Sequence, residues 1–130
     1  MQSQASSEPG ANHRRDRGQA AVELALCLPL LFVFLLGIVQ LVVIVRDQLA
    51  VQLAAREAAR AAAVAAEPGA ADSAAERAVA LRPLIVGIRS TSETVTVTVS
   101  HVTPTDVPLI GLLLPDVTVT AAATMALEPP

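Results

Sequence analysis

The 130 residues contain no tryptophan, tyrosine or lysine, and only one cysteine. Both phenylalanines, Phe32 and Phe34, fall in a single apolar run near the N-terminus. Any core outside that run must therefore be built from valine, leucine, isoleucine and alanine, which bury less area per residue than an aromatic ring. Cys27 has no partner for an internal disulfide, and the bulky Leu26 before it excludes a lipid-attachment signal. It reads as a buried apolar thiol packed among helices. The net charge of −3 is divided unevenly: the tail through Gly18 carries +1, Glu23 contributes −1, and Arg46 onward carries −3. No basic patch of the kind that binds nucleic acid is present. Only two histidines occur, His13 in the tail and His101 on a strand, where His101 is expected on the polar face. Without a Cys/His cluster, an HExxH or GxSxG motif, or a phosphate-binding glycine loop, no catalytic residue, metal, cofactor or small-molecule substrate is expected, and the chain is not expected to be an enzyme.

What the chain does have is an apolar run. From Leu24 to Val45 there is no charge, and Gln40 is the one strongly polar residue. That length suits a helix crossing a hydrocarbon layer about 30 Å thick. A cleaved secretory signal would need a shorter apolar region ending in a small-x-small site, whereas this run ends in Ile44-Val45-Arg46-Asp47. The expectation is a single retained span, with the His13–Arg17 cluster holding the N-terminus in the cytoplasm and the rest outside. Glu23 sits just inside the N-terminal edge of the span, where an ionised carboxylate is costly and calls for a partner or a purpose. Pro29 implies a mild kink, and Gly37 offers a face for close helix packing.

The remaining segments give an α+β chain. Residues 1–18 read as a disordered basic leader. Residues 19–66 read as a transmembrane helix continuing into a stalk, because Asp47 to Ala66 lacks Pro and Gly and is dominated by strong helix formers. At 1.5 Å per residue the rod would be roughly 70 Å long. Leu49 and Leu53 share one face of it, and Arg56, Glu57 and Arg60 have ion-pair spacing on a solvated face. Glu67-Pro68-Gly69 ends the rod, and 67–130 forms a small extracytoplasmic head. In the head, Asp72 or Ser73 caps a short helix running toward Leu81, and Leu84–Ile88 is a possible strand. Strict alternation then marks strands in Thr94–Val102 and Val117–Met125, pairing antiparallel with one valine face inward. Between them, residues 103–115 carry three prolines and a glycine around Leu109-Ile110 and Leu112-Leu113-Leu114. This loop is either folded over the sheet edge or offered to a partner.

The stretch Arg17-Gly18-Gln19-Ala20-Ala21-Val22-Glu23, followed by the apolar run, resembles the processing site of type IV prepilins. With Ala55-Arg56-Glu57-Ala58-Ala59-Arg60, Pro104-Thr105-Asp106-Val107-Pro108, Leu114-Pro115-Asp116-Val117-Thr118 and Ala123-Thr124-Met125, the chain from Arg17 to Glu128 looks like the TadE family of minor pilins of tight-adherence (Flp-type) pili. Two places depart from the wider family, Leu24 where an aromatic is common and Gln40 where an acid is. The resemblance implies cleavage after Gly18 by a membrane prepilin peptidase, leaving Gln19 as the first mature residue. It also implies assembly with other pilins and the pilus assembly platform in the cell membrane. Cleavage would create a largely cationic α-amino group at Gln19. One helical turn away, Glu23 could pair with that amine or with a neighbouring subunit's. A different reading, an uncleaved single-pass envelope anchor with a small interaction domain, leaves Gly18 free to change.

Overall fold

The structure, a computed structural model, describes residues 10–127 apart from 66, 68, 107, 109, 110, 112 and 113, with side chains from Gly18 onward. Helix α1 spans Gly10–Val64 without interruption and passes through Pro29. It begins nine residues before Gln19, so the backbone of 10–18 is helical, while the disorder expected for residues 1–9 lies outside the described residues. After α1 come a short helix α2 (Ala70–Ala78) and strands β1 (Ile85–Ser90), β2 (Thr94–Thr103) and β3 (Val117–Ala126). The three strands form one antiparallel sheet in the order β1-β2-β3; β2 and β3 pair as their alternation implies, and β1 adds to the other edge of β2.

The valine periodicity explains the core. Val95, Val97 and Val99 of β2 and Val119 of β3 point inward and are buried, with Val86, Ala121, Ala123 and Met125 partly buried around them. Opposite lies the C-terminal half of α1, where Val51, Ala54, Ala55, Ala58 and Ala59 recur at helical spacing and are buried. Ala71 and Ala75 of α2 complete the cluster. Alanine on both helices lets their backbones approach closely, and the β-branched valines fill the wider gap beneath the sheet. On the outward face, Thr96 and Thr124 share a 2.8 Å hydroxyl contact, and Ser100 and Thr120 one of 3.1 Å.

Three expectations are corrected here. The part of α1 beyond Asp47 is not a free stalk with the head beyond it: it forms one wall of the head, because a sheet this poor in large side chains needs an apolar helix face to bury its valines. Leu49 and Leu53 are exposed on the side turned away from the sheet, in line with Arg56 and Arg60. The N-cap of α2 is Gly69 (φ 87°), without a side-chain cap; Asp72 lies inside the first turn, near the positive end of the helix dipole. The left-handed backbone at Gly69 is one that glycine adopts freely. At the other end of α2, the Arg82 guanidinium donates to the carbonyls of Glu76 (2.7 Å), Val79 (3.0 Å) and Leu81 (2.6 Å), serving as a C-terminal cap. The third correction is His101, which follows the odd-numbered valines onto the inward face and is buried.

Val97→Ala removes two methyl groups between sheet and helix and is expected to lower stability by about 2 kcal/mol. Thr118→Ala, on the outward face, is expected to change it by less than about 0.5 kcal/mol. Denaturant titration of the full chain in detergent, followed by circular dichroism, measures both.

Candidate functional site

Two regions of α1 carry chemistry, the bare N-terminal part and the point where it enters the head. Along Gly18–Leu35 every residue is exposed, Leu36 and Gly37 are half-covered, and Ile38 and Val39 are exposed. Only 6% of the most apolar window is buried, so this is not the core helix of the domain. It is the one helix among the described residues long and apolar enough to cross a membrane. Gly18 through Val39 would extend about 33 Å as a helix, close to the thickness of a hydrocarbon layer.

At the start of this segment stand Gly18, Gln19 and Glu23, all exposed on a continuous helix. Gln19 and Glu23 are one turn apart on the same face. A Cβ added at Gly18 would meet nothing within 4 Å. No close packing among the described residues explains a glycine there, although glycine inside a helix costs about 1 kcal/mol relative to alanine. Pro29 is exposed midway along the segment, and Gly37 is half-covered near the head. Gly37 lies about 21 Å along the helix from Glu23, so the residues named for processing and for packing do not form one site. Cys27, expected to be packed among helices, is exposed on the bare segment.

The apolar run was expected to act as membrane span through Val45, but the head meets α1 earlier, at Gln40. That residue is 4% exposed, and its Nε2 donates to the Pro104 carbonyl at 3.5 Å. Two turns further on, Asp47 is 5% exposed and accepts the Thr103 hydroxyl at 2.9 Å, with Thr103 fully buried. His101 Nδ1 lies 2.9 Å from the Pro83 carbonyl; since a carbonyl only accepts, the ring donates from that nitrogen. No buried polar side-chain atom among the described residues lacks a partner. This junction was not anticipated. Gln40 and Asp47 stand out in the sequence as the polar residues within and just after the apolar run, yet their partners lie 64 and 56 residues away. Among the described residues, no three of His, Cys, Asp and Glu are grouped to hold a metal ion.

Residues 18–60 match the family model described as TadE-like protein. The match begins at the unexplained glycine and ends at Arg60, within the helix that walls the head, so it covers about a third of the chain. It includes Gly18, Gln19, Glu23, Pro29, Gly37, Gln40 and Asp47, and stops before α2 and the sheet. No curated protein and no solved structure matches the chain. The TadE-like segment thus unites both regions of α1, the bare apolar part and the part that seats the head.

Because the Asp47–Thr103 bond joins the TadE-like helix to the end of β2 in a buried setting, the pair should be strongly coupled. A cycle of Asp47→Ala, Thr103→Val and the double variant is expected to give a coupling energy of about 1.5–3 kcal/mol. Denaturant unfolding of the four proteins in detergent supplies the values.

Proposed function

We propose that the chain is a single-pass membrane protein of the type IV (Tad/Flp) pilus system, a minor pilin or pseudopilin with no catalytic role. Its N-terminus faces the cytoplasm before processing and its head lies outside. The observation that carries this reading is Gly18. The fold gives it no packing role, it marks the start of the TadE-like match, and it lies five residues before the one acid at the threshold of the bare apolar helix. A prepilin peptidase working at the membrane surface would cut the Gly18–Gln19 bond and leave the leader behind.

The chemistry that follows is electrostatic. Scission gives Gln19 a cationic amine beside the Glu23 carboxylate, and in a medium of low dielectric such a pair is far stronger than in water. Within one chain the pair is local. Between chains it would set the axial offset at which one helix packs beside another, with Pro29 and Gly37 shaping the contact. Other pilins and the assembly platform are the partners this arrangement suits.

Intact-mass analysis of the protein from cells with a working prepilin peptidase should show a chain beginning at Gln19, and Gly18→Leu should retain the leader. An uncut wild-type chain would support the plain anchor instead. Glu23→Ala should still be cleaved but lose co-purification with other pilins. Unchanged co-purification would remove the pairing role.

A further inference from the structure

We propose that the groove where α1 enters the head holds one phospholipid with an ethanolamine headgroup, its phosphate on Arg46 and Arg82 and its ammonium on Asp106 and His101. The proposal rests on the reading of α1 as a membrane span, which sets this groove at the surface of the bilayer.

Three parts of the chain build the groove. On one face of α1 it is lined by Leu36, Val39, Val43 and Arg46, spaced three and four apart. Its floor therefore runs about 15 Å, from the last turns of the bare segment to Arg46, the first charged residue after Glu23. The connection between α2 and β1 supplies Arg82, and the end of β2 with the residues after it supplies His101 and Asp106. The volume is about 830 Å³, within the range of small-molecule sites. An apolar floor that begins in the hydrocarbon and ends on a cation has the polarity of a lipid lying beside the span.

The polar end has capacity left for a ligand. The Arg82 guanidinium is fixed by its bonds to the carbonyls of Glu76, Val79 and Leu81, which leave N–H groups on Nε and Nη2 and bring no opposite charge. It is thus a positioned cation, suited to phosphate oxygens. His101 is 5% exposed and donates from Nδ1 to the Pro83 carbonyl. Its Nε2 has no partner among the described residues, and since no buried side-chain atom among them lacks one, Nε2 opens on the groove. In the neutral ring that nitrogen is an acceptor, so it suits an N–H donor and not a phosphate. Asp106 is exposed, and Asp47, buried and bonded to Thr103, lines the groove too. Two arginines and two carboxylates match a headgroup that carries one phosphate and one ammonium. A glycerol headgroup brings no cation, and a choline headgroup brings no N–H.

The test uses the full chain, delipidated in mild detergent and incubated with equal amounts of phosphatidylethanolamine, phosphatidylcholine and phosphatidylglycerol. Native mass spectrometry counts the lipid retained by the wild type, Arg46→Gln, Asp106→Asn and, outside the groove, Arg89→Gln; Arg82 is kept because it also caps α2. The expected result is one phosphatidylethanolamine per chain. Arg46→Gln should lower its retention about tenfold, the loss of one charge-assisted hydrogen bond. Asp106→Asn should abolish the preference over phosphatidylcholine, and Arg89→Gln should change neither. No retained lipid, equal retention of the three lipids, a preference for phosphatidylglycerol, or indifference to either groove substitution overturns the proposal. Flotation with vesicles after alkaline washing reads the span separately. A chain that floats but shows any of those results loses the lipid site and keeps the span, whereas a chain that does not float overturns the span reading itself.

Discussion

Everything in the head depends on the burial of a valine sheet against an alanine- and valine-lined helix face. With no aromatic residue available outside the apolar run, the buried centre of the core is valine and alanine, edged by Leu81, Leu84 and Met125. The second half of α1 therefore has to be one of the core's two walls, with α2 closing the side through Ala71 and Ala75. The head cannot be detached from the helix without exposing that core. The bare segment and the wall of the head are parts of one helix, unbroken from Gly10 to Val64.

That shared helix has to satisfy two surroundings, and the change occurs between Val39 and Gln40. Below it, from Leu24 to Leu35, the side chains are apolar and exposed, and Leu36 and Gly37 are half-covered. Above it the inward face carries Gln40 and Asp47, each paired with the end of β2 or the residue after it. Polar groups buried with partners are directional, whereas the small apolar contacts further along are not. The Asp47–Thr103 and Gln40–Pro104 bonds thus select one register for the sheet on a helix whose alanine face could accept several.

The TadE-like match ends inside the head, at Arg60. The matched region is the shared helix, and the unmatched region is the part that covers it. The matched helix is thus both the bare apolar segment and one wall of the head, and the sheet that it seats lies outside the match.

The sequence by itself determined the local elements and the chemistry that is read locally. Period-two alternation gave β2 and β3 and their pairing, the uncharged run gave the bare helix, and the resemblance of Arg17–Glu23 to a prepilin processing site named Gly18 and Gln19. These are legible because they depend on neighbours within one or two turns, or on alternate residues of one strand. Tertiary structure alone decided where the helix stops being membrane-facing and becomes a core wall, that the His101 ring meets the Pro83 carbonyl, and what Asp47, Gln40 and Arg82 are for. The alanines of 54–59 have the same helix propensity whether they face water or a sheet, so no local pattern shows that they are covered. The partners of Gln40 and Asp47 lie more than fifty residues away, and only the return of β2 along α1 brings them within reach.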